Sequence, residues 1–276
     1  MSNSPDAIII GTGVIGAAIA FELSKANWKV ISLDRNTQVG HGSKSGSCAI
    51  VRMHYSTFDG TAFAWEGYHY WRNWADYLGL PPDSDLAQFR EVGCLVMKTE
   101  ANGHLTKHMK YSAALGCPFE ELDAKQISER LPIYSLDSFA PARRMDDPAF
   151  GVPNGGKMTG AVFWPNAGYV TDPALSAQNL QAAAGRHGAE VRLGANVVEI
   201  LRAKGRVEGV RLANGDEIRA PVVINVAGPG SAVVNRMAGV LDDMTIQTRP
   251  LRQEVVHVPA PAGLDFERDG MVLSDS

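Results

Sequence analysis

The chain has 276 residues, 45% of them hydrophobic and 20% charged, with a formal net charge of -4. That length suits one large or two modest domains with a sizeable core, and the apolar content excludes a disordered chain. The slightly acidic balance, with its basic residues scattered, excludes nucleic acid and anionic membrane surfaces as electrostatic partners.

No apolar run approaches the ~20 residues that span a bilayer. The first apolar strand begins at Ala7, which leaves no room for a leader, so a cytoplasmic protein is expected. Cys48, Cys94 and Cys117 are odd in number and lack metal-type spacing, and they read as reduced thiols. The histidines show no two-His-plus-acid helical spacing, and no metal site is expected.

Residues 6–35, DAIIIGTGVIGAAIAFELSKANWKVISLDR, run through an apolar strand, a glycine loop, a helix and a second apolar strand, which is a βαβ unit. Gly11 allows the tight turn, Gly13 lets the backbone approach a pyrophosphate, and Gly16 lets the helix pack closely on the sheet. The helix opening with Val14 and Ile15 aims free N–H groups and its positive dipole end at the phosphates. Asp34 ends the second strand 18 positions after Gly16, where a carboxylate accepts from ribose hydroxyls, and Arg35 beside it is counted with the site. A glycine loop alone is weak. Strand, loop, helix, strand and acid in register predict a dinucleotide site.

A nicotinamide-binding domain would continue promptly with more helix and strand. Here residues 40–52, GHGSKSGSCAIVR, form a polar loop instead. Its Gly42, Ser43, Ser45 and Ser47 offer N–H and hydroxyl donors to a second face of a phosphate or ribityl chain. A surface linker is the alternative reading of that composition.

From 58 to 80, Phe63, Tyr70, Trp71, Trp74 and Tyr77 recur at helical spacing and predict a core-facing helix stopped by Gly79 and the Pro81-Pro82 pair. Residues 89–99 predict a strand, 105–116 a helix, ELDAKQISERLP a short helix ended by Pro132, and 133–157 a long loop. GAVFWPNAGYVTDPALSAQNLQAAAGRHGAEVRL predicts a strand, a turn, a helix entered at Asp172-Pro173 and closed by Gly185 and Gly188, and a strand. VVEILRAKGRVEGVRLANGDEIRAPVVINVAGPGS predicts a three-stranded meander with a hairpin at Asn214-Gly215. The apolar run at 222–226 reads as a strand buried on both faces, emptying into Ala227, Gly228 and Gly230. Such a glycine turn lets backbone come close to a ligand, and a plain strand-to-helix turn is the alternative.

GTGVIG with Asp34, then SKSGSCAIVRMHYS, resembles the D-amino-acid oxidase superfamily of FAD-dependent oxidoreductases, especially its sarcosine oxidase, glycine oxidase and dimethylglycine dehydrogenase branches. GAVFWPNAGYVTDPALSAQNLQAAAGRHGAEV, GANVVEI and VVINVAGPGS extend the resemblance over nearly the whole chain, in order. It implies an α/β FAD-binding domain of the Rossmann-like, glutathione-reductase type, discontinuous over residues 1–85 and 171–240. It also implies an α+β substrate domain on a mixed or antiparallel sheet over 86–170 and 241–276, with strands at 89–99, 161–165 and 247–258. In the superfamily the valine matching Val197 meets adenine through its backbone, and the turn matching Ala227 and Gly228 lies near the dinucleotide.

The resemblance implies FAD as cofactor and a small amine or amino acid as substrate, oxidised at its C–N bond to an imine by hydride transfer to flavin. Arg52 matches an arginine that binds substrate carboxylate in sarcosine oxidase-like enzymes, and its guanidinium suits a bidentate grip. A surface or structural ion-pair residue is the other reading of Arg52. His54 and Tyr55, on the same loop, either face the flavin or pack. The position three before Arg52 is basic in sarcosine oxidase-like chains and is Ala49 here, which widens the substrate class to amino or imino acids. Cys48 matches no covalent flavin attachment position of the family and reads as a small buried thiol. Superfamily members are typically longer, with a C-terminal segment that touches the flavin, and nothing after Gly230 resembles it. The expectation is therefore a truncated member, or a chain completed by a complementary chain or a homo-oligomer. Two rival readings stand beside it: an NAD-dependent dehydrogenase, and a flavin-binding chain without turnover of its own.

Overall fold

The computed structural model describes residues 4–43, 45–81, 83–99 and 102–274. Lys44 of the serine-rich loop, Pro82 of the helix-stopping pair and residues 275–276 of the terminal GMVLSDS lie outside them. The chain forms two compact units: Met1–Ala49, Trp74–Gln88 and Val170–His257 in the first, and Ile50–Asn73, Phe89–Tyr169 and Val258–Ser276 in the second.

The first unit is built on a four-stranded parallel sheet. Ala7–Ile10 and Val30–Leu33 lie at its centre, and every residue of both is buried, as continuous apolar runs require. Val222–Asn225 flanks the first and Glu190–Arg192 the second, all in parallel register. Val222–Asn225 is half-buried rather than covered on both faces, because it is an outer strand. Helices Val14–Lys25 and Pro173–Arg186 pack on one another. The first buries Ala17 and Ala20 and the second Ala177, Ala183 and Ala184, and such small side chains let helix axes approach. Asp172 starts the second helix by accepting from Leu175 N–H at 2.8 Å, with Pro173 in the first turn.

The predicted meander is present as antiparallel strands Val197–Ala203, Arg206–Leu212 and Glu217–Arg219. Its apolar face closes on the parallel sheet through Val197, Val210 and Ile218 against Ile8, Ile10 and Leu33. That contact fixes Val197 beside the ends of the central strands.

The second unit holds a mixed sheet in the order Val272–Ser274, Cys94–Met97, Gly160–Trp164, Glu120–Asp123. The first pair is parallel and the others antiparallel. A small sheet joins Ile50–Val51, Gly168–Val170 and Phe89–Arg90.

Several predicted elements differ. The strand at 89–99 is two strands in different sheets, broken where Gly93 adopts φ 80° and a Cβ would overlap the Phe163 ring. The helix at 58–80 is two, Phe58–Arg72 and Trp74–Leu78, separated at Asn73. Of its aromatic stripe only Trp74 is buried, while Phe63 is 81% exposed, and the buried ring on the longer helix is Tyr68. ELDAKQISERLP begins as the strand Glu120–Asp123, paired with Gly160–Trp164, before helix Ala124–Arg130. The Asp123 carboxylate and Gln126 form a capping box at that junction, which fixes where the helix starts.

No strand forms at 247–258, where every residue is exposed; Val272–Ser274 takes the place beside Cys94–Met97. The compact units also divide the chain differently from the expected domains. Residues 50–73 fall in the second unit because Ile50–Val51 pairs with Gly168–Val170 and helix Phe58–Arg72 packs on helix Leu105–Ala114, and 241–257 falls in the first. Cys48 is exposed, contrary to expectation, because the loop around it is exposed from 45 to 48. Cys94 and Cys117 are buried, and burial pushes their thiols up to about 12 and about 11, so neither is a thiolate at neutral pH.

His54 lies in the core of the second unit, 4% exposed, with its ring centroid 4.5 Å from that of Trp164 and 5.6 Å from that of His108. Burial first, then the charges of Arg52 and His108, push its pKa from 6.5 down to about 3. Between those values the unfolded chain takes up a proton that the folded chain refuses. The stabilisation is complete above about pH 6.5 and is lost as pH falls toward 3. His54→Phe retains a ring against Trp164 and cannot titrate, so its denaturation midpoint is expected to fall less than that of the parent between about pH 7 and about pH 4.5. Equal falls in the two proteins, measured by urea titration, would contradict this.

Candidate dinucleotide site

At the carboxyl ends of the central strands the first unit encloses a cavity of about 590 Å³. That size is typical of a small-molecule or cofactor site. Gly11, Gly13, Val14, Ile15, Gly16, Asp34, Arg35, Gly42, Ser43, Ser47, Val197, Ala227 and Gly228 all line it. Ser45 does not; its hydroxyl donates to the Gly42 carbonyl at 3.0 Å and shapes the loop.

The three loop glycines are glycine for different reasons. Gly11 has φ 114°, and a Cβ there would overlap the Val226 carbonyl. A Cβ on Gly16 would overlap the carbonyl of Gly11. Gly13 has extended backbone at φ -69° and ψ 179°, and its Cβ would meet no protein atom within 4 Å. Neither conformation nor protein packing excludes a side chain at Gly13; only an occupant of the cavity would. Helix Val14–Lys25 has no side-chain cap and no acidic residue in its first turn, so its leading N–H groups and dipole are free for an anion. A dinucleotide pyrophosphate fits these donors.

Asp34 is held in place. Its Oδ2 accepts from Thr12 N–H at 2.8 Å and from Thr12 Oγ1 at 2.9 Å, and its Oδ1 accepts from Asn36 N–H at 2.9 Å. A carboxylate offers about four acceptor sites, so three donors leave room for a ribose hydroxyl. On the opposite wall the Asn225 side chain pins the glycine turn: its Oδ1 accepts from Ala227 N–H at 3.2 Å, and its Nδ2 donates to the Ser231 carbonyl at 2.9 Å. Gly228 follows with φ 56°.

Sequence reasoning missed Thr12, Asn225 and the apolar wall of Val233, Val234 and Met237. Thr12 occupies an unspecified position of the glycine motif, and only a hydroxyl paired with a strand-end acid hinted at it. The 233, 234, 237 spacing is one helical face of Ser231–Met237 and was available as a pattern.

Arg52, His54 and Tyr55 belong to the second unit. Arg52 is exposed, with no carboxylate partner among the described residues, and its guanidinium lies 4.7 Å from the Tyr55 ring centroid. The positive charge of Arg52 helps to keep His54 and His108 neutral, after burial has done most of it. The Nδ1 atoms of both imidazoles are buried without a partner among the described residues. His54 is buried against Trp164 and His108, and Arg52 is exposed over the Tyr55 ring.

Among the described residues no helix is long and apolar enough to cross a membrane, and no group of His, Cys, Asp and Glu forms a metal site. Among curated proteins, the tRNA 5-methylaminomethyl-2-thiouridine biosynthesis bifunctional protein MnmC of Paraburkholderia xenovorans (strain LB400) is 26% identical over 259 residues, which is 92% of this chain and 34% of that protein. Among solved structures, L-proline dehydrogenase from P. horikoshii superposes with a TM-score of 0.70 at 18% identity, over 87% of this chain and 57% of that one. Glycine oxidase from Geobacillus kaustophilus gives 0.67 at 23% identity, over 86% and 59%. The chain thus spans about a third of the curated relative and less than three fifths of either structure. The family model DAO, FAD dependent oxidoreductase, matches residues 6–274, from the first strand of the parallel sheet to the last strand of the mixed sheet, and the chain therefore belongs to this FAD-dependent family.

Proposed function

We propose that the chain holds FAD in the cavity of its first unit and oxidises the C–N bond of a small amino acid or secondary amine, of the sarcosine, glycine or D-amino-acid kind. The observation that carries the cofactor half is Gly13, which lines the cavity at the helix start and where a Cβ would meet no protein atom within 4 Å. The substrate half is supported by the structural relatives, whose names are a glycine oxidase and a proline dehydrogenase.

In this reading the N–H groups at the start of helix Val14–Lys25 and the Gly13 backbone hold the pyrophosphate, Asp34 accepts from a ribose, and the Val197 backbone meets the adenine. Gly42, Ser43 and Ser47 supply further donors from the second loop, with Arg35, Ala227 and Gly228 completing the walls. Bound FAD supplies a two-electron acceptor for a hydride from the substrate carbon. The substrate nitrogen loses a proton as the carbon loses the hydride, and the resulting imine is hydrolysed by water. Arg52 anchors the substrate carboxylate, the role for which an exposed guanidinium without an acidic partner is suited. His54 stays neutral and leaves Arg52 the charge of that loop.

Gly13→Ala is expected to weaken FAD binding at least about tenfold while lowering the melting temperature of the apoprotein by only a few degrees, the cost of a poorer helix cap. Undiminished affinity in fluorescence titrations would contradict the pyrophosphate assignment. For turnover, anaerobic addition of an N-methyl amino acid should bleach the flavin band of the holoprotein. Arg52→Lys should then raise KM for carboxylate substrates about tenfold or more with FAD affinity unchanged, because the bidentate grip is lost. A flavin band inert to all amines tested would contradict the substrate class, and equal losses of substrate and FAD binding would remove Arg52 from its role.

A further inference from the structure

Thr12 is fully buried in the middle of the glycine loop, and its polar groups are shared between Asp34 and Gly40. Its N–H and its hydroxyl both donate to Oδ2 of Asp34, at 2.8 and 2.9 Å. Its carbonyl accepts from Gly40 N–H at 3.0 Å, at the entry to the serine-rich loop. Gly40 is itself confined: its φ is 79°, and a Cβ there would press on the main chain of Ala174 at 2.9 Å. The neighbouring Gly11 N–H donates to the Leu33 carbonyl at 2.8 Å, so loop and second strand are joined at consecutive residues.

We propose that Thr12 is a positioning residue for the cofactor: it clamps the glycine loop to Asp34 and to the start of the serine-rich loop, so that pyrophosphate and ribose contacts stand in register before FAD arrives. Asp34 then acts in two ways, as acceptor for a ribose hydroxyl and as the anchor of the loop through Thr12. Two hydrogen bonds to one ionised oxygen at a buried residue are strong enough to hold such a loop, since charge-assisted bonds are roughly twice as strong as neutral ones. Preorganisation of this kind shows as affinity, because the loop no longer has to be ordered on binding. The inference rests on the reading of this cavity as the FAD site.

The test is a double-mutant cycle on FAD affinity, with Thr12→Val, Thr12→Ser, Asp34→Asn and the double variant Thr12→Val with Asp34→Asn. Valine keeps the shape of threonine and removes the hydroxyl; serine keeps the hydroxyl. Thr12→Val is expected to weaken FAD about tenfold and Thr12→Ser to remain within about twofold of the parent. The double variant should bind much less weakly than the product of the two single effects. Parental affinity in Thr12→Val, equal weakness in Thr12→Ser, or fully multiplicative effects would overturn the clamp. Amide hydrogen exchange in the apoprotein gives a reading independent of FAD: Asp34→Asn should speed exchange at Thr12, and unchanged exchange would overturn it. A parent protein that binds no FAD overturns the site reading and the clamp together, whereas a binding parent with an unaffected Thr12→Val overturns the clamp alone.

Discussion

The close approach of Gly16 to the Gly11 carbonyl is the contact on which the cavity of the first unit depends. It brings the start of helix Val14–Lys25 onto the end of the Ala7–Ile10 strand with no side chain between them. Because the backbones meet there, the loop between them is forced into one path, and the helix dipole ends where that path opens into the cavity. Every other wall is referred to this junction. Val222–Asn225 pairs with the same strand and delivers the Ala227–Gly228 turn, and Val30–Leu33 pairs on the other side and delivers Asp34. The meander is held by apolar packing against the same sheet and brings Val197 to the rim.

Electrostatics in the two units follow opposite designs. In the first, an ionised carboxylate is surrounded by donors that leave it partly free, and the helix end beside it carries no acidic residue, which suits a ligand with both ribose hydroxyls and phosphates. In the second, burial lowers the pKa of His54 and His108 and raises that of Cys94, with the exposed Arg52 near all three.

Much of this was legible in the sequence because the relevant signals are local. The βαβ unit, the Asp172-Pro173 helix start and the three-stranded meander all follow from short-range pattern, and all are present. The signals that misled are those decided by tertiary partners. Residues 89–99 read as one strand, and only Phe163 packed over Gly93 shows why they are two. The strand that the resemblance implied at 247–258 does not form, and pairing goes to Val272–Ser274. Phe63 sits on the expected helical stripe and faces outward, while His54, two residues from an exposed arginine, is buried. In the site, glycines and the strand-end acid announced themselves, whereas Thr12 and Asn225 act through hydrogen bonds that no spacing rule encodes.

The central claim is that the cavity of the first unit is an FAD site. The most direct measurement is the visible spectrum of the purified protein together with a calorimetric titration of its apo form by FAD and by NADH. The account predicts a yellow protein with one FAD per chain, and an apoprotein that binds FAD in preference to NADH. A colourless protein that takes up NADH and leaves FAD unbound would contradict it.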